Sequence, residues 1–232
     1  MNKERKQKPL HGGHRQRLKE RYLNEGLDSF EPHQVLELLL FYALPYKDTN
    51  ELAHRLIAHF GSLHGVLDAA YEELLQVPGV GANTACLLTM LPDLFRSYQL
   101  DRYQPRQQFP DTAALGSYVC DLFLGCDYEV FYLICLDMQN RLIKASMINR
   151  GTIDEVFVYP RIVAETALRH KAKRVVLAHN HPGGTLRPTS ADLKLTRHID
   201  ALLRDINITV VDHIIAVGMQ YFSFSEKNLL GG

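Results

Sequence analysis

The chain lacks the features that mark several large protein classes. No apolar run reaches the ~18 residues needed to cross a bilayer, so no membrane span is expected. The opening stretch MNKERKQKPL is polar and has none of the apolar core of a secretory signal, and a cytoplasmic protein is expected. Only four cysteines occur, Cys86, Cys120, Cys126 and Cys135, and none forms a Cys-x-x-Cys pair. That spacing argues against a zinc ribbon or a redox dithiol. Cys86 and Cys135 sit in apolar runs and read as small core residues, and reduced thiols suit the cytosol. Net charge is also missing, since 26 Lys and Arg balance 26 Asp and Glu. No internal repeat is found.

What is present is ordinary globular usage, 46% hydrophobic and 22% charged over 232 residues. That length fits one large domain or two small ones. The charge is unevenly spread. Residues 1–21 hold eight Lys and Arg against Glu4 and Glu20, which leaves that segment at +6 and the remainder at −6. A basic arm of this kind is either a source of phosphate contacts or a solvated leader.

Two textures follow one another. From Gly26 to Tyr98 the pattern is helical. EPHQVLELLLFY opens with Pro32, suited to a first helical turn. Thr49 or Asn50 can cap NELAHRLIAHF, whose Leu52, Leu56, Ile57 and Phe60 share a face, and Gly61 ends it. Ala69–Leu75 and Ala82–Met90 read as two more helices. DRYQPRQQFP, with two prolines, reads as a linker over 101–110. Beyond it, Val130–Leu136 is an apolar, β-rich run expected to be buried on both faces, and Met138–Arg141 a turn. Strands are expected at Leu142–Asn149, Glu155–Val158, Arg174–Ala178, Ile208–Val211, His213–Val217 and Tyr221–Phe224, and helices at Pro160–His170 and Ala191–Arg204. This alternation predicts an α/β domain of three layers over 111–232, preceded by a small all-α domain over 1–100.

The chemistry concentrates in LAHNHPGGTLRPTSAD, residues 177–192. His179 and His181 are two apart at a strand end, so period-2 alternation puts both rings on one face. Pro182, Gly183 and Gly184 turn the chain, and Asp192 falls in the first turn of the next helix. Two nitrogens and a carboxylate oxygen make three ligands and leave a fourth position for water, the open arrangement of a catalytic zinc site. Each piece also has a plainer reading. A lone His-x-His is usually structural, and Thr189-x-x-Asp192 is also the pattern of a helix cap. Taken together, with ten residues between His181 and Asp192, the metal site is favoured.

His-x-His, seven residues, a hydroxyl residue, two residues and Asp is the JAMM pattern of the JAB/MPN metallopeptidase superfamily. With HNHPGG, VVDHIIAVG, GHRQRLKERY and ELLLFYAL, nearly the whole chain resembles the bacterial RadC family. The resemblance implies a cytidine-deaminase-like mixed sheet with zinc held by His179, His181 and Asp192. Thr189 stands where the family has Ser and keeps a hydroxyl able to stabilise an oxyanion or cap the helix. Glu129, just before VFYLICL, resembles the glutamate that activates the zinc water; Glu155 is its competitor. Tyr159 departs from the His usual there. Asp212-His213, at a strand junction, suggests either a carboxylate orienting a ligand histidine or a buried structural hydrogen bond.

Val77–Ala85, VPGVGANTA, resembles a helix-hairpin-helix, in which Gly79 and Gly81 would expose backbone N–H groups to a DNA phosphate. Residues 82–90 hold no Lys or Arg, and a hairpin used only for packing is the other reading. The functional expectations are therefore a JAMM-type zinc hydrolase cutting an amide or isopeptide bond, with protein or peptide substrates and DNA as a second partner. A repair or recombination module with structural zinc and a metal-dependent nuclease are the alternatives. Deaminase chemistry is set aside because its Pro-Cys-x-x-Cys is missing. The letters HNH at 179–181 do not indicate an HNH nuclease, whose residues lie far apart. An oligomer is compatible with the sequence.

Overall fold

The computed structural model describes residues 13–104, 106–151 and 158–230. The chain divides into two compact units, Met1–Pro92 and Asp93–Gly232. Among the described residues, no helix is long and apolar enough to cross a membrane.

The first unit is helical, with α1 (His14–Glu25), α2 (Pro32–Ala43), α3 (Asn50–Phe60), α4 (Leu63–Asp68), α5 (Tyr71–Leu75) and the opening turns of α6 (Ala82–Asp101). Helix α2 starts where expected. Pro32 lies at its first position, where no N–H is needed, and Glu31 and Gln34 bond reciprocally across the first turn. Helix α3 ends at Gly61, which takes φ 82°, a left-handed conformation that costs glycine little. Leu36 and Leu40 of α2, Leu56 of α3 and Leu88 of α6 are fully buried in one core, as their four-residue spacing anticipates.

The structure departs from the sequence expectations here in three places. His14–Glu25, which takes in the end of the basic arm read over 1–21, is helix α1. It is pinned to the end of α2, where Arg15 donates to the carbonyls of Pro45 (2.8 Å) and Leu44 (2.6 Å) and to that of Lys47. A guanidinium thus gathers the carbonyls of the segment that follows the helix, and its Nη1 also lies 3.4 Å from Phe41 O in the last helical turn. The short helix α4 was not anticipated; Ser62 starts it by accepting from Gly65 N at 2.9 Å. Helix α6 runs on to Asp101 with Pro92 inside it, well past Met90.

The second unit contains the end of α6, then α7 (Thr112–Leu122), β1 (Val130–Leu136), β2 (Leu142–Arg150), α8 (Pro160–Arg169), β3 (Arg174–Asn180), α9 (Ser190–Arg204), β4 (Thr209–Val217) and β5 (Gln220–Ser223). The sheet order is β2-β1-β3-β4-β5, with β3 and β4 parallel and every other pair antiparallel. Alternate residues of β1 and β3 serve two cores. Val130, Ile134, Val176 and Ala178 pack on α7, while Phe131, Leu133, Val175 and Leu177 pack with Val163 of α8 and Ile199 and Leu203 of α9. The expected three layers and α/β class are present. Within 101–110, Gln108 bridges Arg141 and Phe109 is buried in the α7-side core.

Helix α7 was not anticipated, because Ala113, Ala114, Gly116 and Ser117 dilute its apolar period. The two strands expected on either side of Asp212 form one, β4. Val175 pairs with Val210 but Val176 with Asp212, so β4 carries one extra residue there. Such a bulge reverses which face the following side chains take. The strand expected at Glu155–Val158 lies, apart from Val158, outside the described residues.

Candidate metal centre

Strand β3 is buried along almost its whole length, and His179 lies near its C-terminal end, 2% exposed. His181 follows directly, its N–H donating to Ala216 O of β4 at 3.0 Å. Pro182 and Gly183 then form a tight turn closed by Gly184 N donating to His181 O at 3.1 Å, with Gly183 at φ 63°. The two imidazoles converge as period-2 alternation predicts, His179 Nε2 and His181 Nε2 standing 2.9 Å apart. His181 Nδ1 lies 3.0 Å from Thr185 O. A carbonyl only accepts, so this nitrogen carries the proton and His181 Nε2 presents a bare lone pair.

Asp192 joins them from the first turn of α9. One oxygen, Oδ1, is 3.2 Å from His179 Nε2, and Oδ2 is 3.7 Å from His181 Nε2. Oδ2 also accepts from Thr189 N at 2.7 Å and from Thr189 Oγ1 at 2.8 Å, while Thr189 Oγ1 lies 3.2 Å from Asp192 N. Helix cap and histidine partner, set out above as alternatives, are one arrangement, in which the cap aims the carboxylate. Burial opposes ionisation of Asp192, but His179 and the two Thr189 bonds outweigh it and hold the carboxyl well below the usual carboxylate range. The hydroxyl of Thr189 is thus engaged with Asp192.

Glu129 ends the loop before β1. Together with His179 and His181 it offers donor atoms that all lie within 4.8 Å of one another. Asn180, between the two histidines but on the other face of β3, holds this loop in place. Its Oδ1 accepts from Val130 N at 2.8 Å and its Nδ2 donates to Tyr128 O at 2.9 Å, gripping the backbone on both sides of Glu129. Sequence reasoning gave Asn180 no task. Its signal is a buried amide inside an otherwise apolar strand, which must find partners. Glu155 lies outside the described residues.

Behind the site, His213 is fully buried. The β4 bulge turns its ring toward β3, and His213 Nε2 stands 2.8 Å from His179 Nδ1. Burial above all, aided by the nearby His179 and His181, drives its pKa well down, so the ring is neutral. Asp212 acts elsewhere. It accepts from His213 N, Ser223 Oγ, Ser225 N and Ser225 Oγ at 2.6–2.9 Å, which fills its lone pairs at the β4–β5 corner. Of the two readings of Asp212-His213, the structural one describes the aspartate, while the histidine is the residue that meets a ligand candidate.

The family model of the RadC-like JAB domain matches residues 109–229. The chain belongs to this family. Its relatives extend the likeness over the helical unit as well. A UPF0758 protein of Fusobacterium nucleatum is 32% identical over 225 residues, covering 94% of this chain and 97% of its own. One of Variovorax paradoxus is 37% identical over 217 residues, covering 92% and 96%. One of Herminiimonas arsenicoxydans is 34% identical over 215 residues, covering 93% and 96%. In this RadC-like JAB domain, Tyr159, the departure noted above, caps α8 and is largely exposed.

In the helical unit, Gly79 takes φ 100°, which restricts that position to glycine. Gly81 has no left-handed φ, and a Cβ there would meet nothing within 4 Å. Arg55 of α3 lies beside the hairpin, its Nη1 donating to Pro78 O at 2.5 Å and its Nη2 to Glu51 at 2.9 Å. No sequence spacing pointed to Arg55, which is more than twenty residues from the hairpin.

Proposed function

We propose that this chain is a zinc-dependent hydrolase of the JAMM type that cleaves an amide or isopeptide bond. The observation that carries the reading is the convergence of His179 Nε2, His181 Nε2 and the Asp192 carboxylate at 2.9, 3.2 and 3.7 Å. Ligands ~2.0–2.2 Å from a tetrahedral zinc stand about 3.3 Å from one another, so the three separations bracket the required value. Two bare imidazole nitrogens and one carboxylate suit zinc's preference for nitrogen with a single oxygen, and leave one position open. When bound, zinc supplies a Lewis acid and lowers the pKa of a water toward ~7. In this reading Glu129, whose flanking backbone is bonded by Asn180, takes a proton from the attacking water and returns it to the leaving nitrogen. Thr189 acts by holding Asp192 rather than by meeting an oxyanion.

The test is metal content. The purified protein is expected to carry near-stoichiometric zinc and His179→Ala to lose most of it. Equal zinc in both proteins by elemental analysis would remove the reading.

A second, weaker activity is favoured by one observation: among the described residues, nothing lies within 4 Å of a Cβ placed on Gly81. Open space over that backbone suits close approach by a phosphate; Arg55, beside the hairpin, is already engaged by Pro78 O and Glu51. Sequence-independent contact with DNA is the corresponding proposal. In the described part of the basic arm, Arg15 and Arg21 donate to backbone carbonyls of their own unit, which leaves Arg17 and Lys19 as its other cations.

A further inference from the structure

The hydrogen bonds behind His179 close on themselves. His179 Nδ1 lies 2.8 Å from His213 Nε2, and His213 Nδ1 lies 2.6 Å from Thr196 Oγ1 on α9. Thr196 Oγ1 in turn lies 2.6 Å from the backbone oxygen of Asp192. The Asp192 side chain then returns to His179, with Oδ1 3.2 Å from Nε2. All four residues are buried or nearly so, with Thr196 1% and His213 0% exposed. The His213 ring is packed against Phe131 and Phe224, centroids 5.9 and 4.6 Å away.

Counting protons fixes the direction of the bonds that run from the Asp192 carbonyl back to His179 Nδ1. The Asp192 carbonyl can only accept, so the single Thr196 hydroxyl proton goes to it. The Thr196 oxygen then accepts, and His213 Nδ1 must be the N–H that donates to it. A neutral imidazole has one proton, which leaves His213 Nε2 as an acceptor. It accepts from His179 Nδ1–H, which leaves His179 Nε2 as the nitrogen that faces Asp192 and His181 and is available to a metal. That is the tautomer a metal on Nε2 requires. His181 reaches the same state independently through Thr185 O. A threonine hydroxyl bonded to the carbonyl four residues back is common in helices and by itself means little. Here the same oxygen also meets a buried imidazole that meets a candidate ligand.

We propose that Thr196 and His213 are positioning residues of the metal centre, fixing the ring orientation and the Nε2 lone pair of His179 while tying α9, which carries Asp192, to β3. This rests on the metal-site reading above. The chain explains why a fully buried histidine stands in β4 at all, since burying a polar ring is unfavourable unless both nitrogens are bonded.

The test measures zinc affinity of the full-length protein by chelator competition, for wild type, Thr196→Val, Thr196→Ser and His213→Phe. Loss of such outer partners typically weakens a site 10–100-fold. Thr196→Val and His213→Phe are expected to fall in that range, with Thr196→Ser within about threefold of wild type because it restores the hydroxyl. In zinc-loaded wild type, long-range proton–nitrogen spectra should show His179 protonated at Nδ1 and His213 at Nδ1. If Thr196→Val binds zinc as tightly as wild type, or His213 carries no proton at Nδ1, the proposal is wrong while the metal site stands. Should wild type bind no zinc, the metal-site reading falls and takes this inference with it. Should the variants not fold, the wild-type spectra decide alone.

Discussion

At the residue scale, the proposed zinc site would separate holding from reacting. His179, His181 and Asp192 face one another within 3.7 Å, whereas Glu129 approaches from the loop before β1. A group that only moves protons is not needed to retain the ion. Glu129→Gln is therefore expected to keep zinc and fold but to lose roughly 10²-fold or more in turnover, the usual worth of a positioned general base. Turnover of a cleavable isopeptide or peptide substrate, measured beside zinc content, checks this. Unchanged turnover would pass the role to another carboxylate, Glu155 being the first to try.

At the element scale, the second unit depends on close approaches that a single methyl disturbs. Helix α7 packs against β5 at Gly116, where a Cβ would lie 2.4–2.6 Å from the Tyr221 ring. Alanine gains about 1 kcal/mol over glycine from helix propensity. Overpacking of this kind typically costs about 1–3 kcal/mol, so Gly116→Ala should be net destabilising. Adding Tyr221→Ala removes the obstructing ring, and the double variant should recover part of the loss relative to Tyr221→Ala alone. Denaturant midpoints of the four proteins give the coupling directly. A Gly116→Ala protein more stable than wild type would mean that the ring swings aside at no cost.

At the scale of the whole molecule, two compact units imply two responses. Leu36, Leu40, Leu56 and Leu88 centre the helical unit, and Leu133, Leu177, Ile199 and Leu203 lie in the unit with the candidate site. A ligand stabilises only what it binds in the folded state, by about 4 kcal/mol at a thousandfold excess over Kd. Added zinc should raise hydrogen-exchange protection in β3, α9 and β4 and leave α2 to α5 unchanged; equal gains in both would contradict this assignment. DNA binding by the full chain should be weak and fall with salt with a logarithmic slope of about −2 to −4, as a few phosphate contacts require. Without binding at low ionic strength, the Val77–Gly81 hairpin is a packing element.

The sequence by itself determined the parts that depend on local pattern. The four-residue apolar spacing of α2 and α3, the β-rich run of β1 and the His-x-His spacing at the end of β3 all follow from periodicity, and each is where it was expected. The Thr189–Asp192 cap was legible for the same reason, since both residues lie within one helical turn. Tertiary structure alone decided which distant residues meet. Asn180 grips a loop fifty residues earlier in the chain, and Arg55 reaches a hairpin on the far side of two short helices. His213 depends on a one-residue bulge, because a regular β4 would have turned its ring to the opposite face. A bulge leaves no periodic signature beyond the break at Asp212, and that break reads as a strand end until the pairing with β3 carries the strand through it.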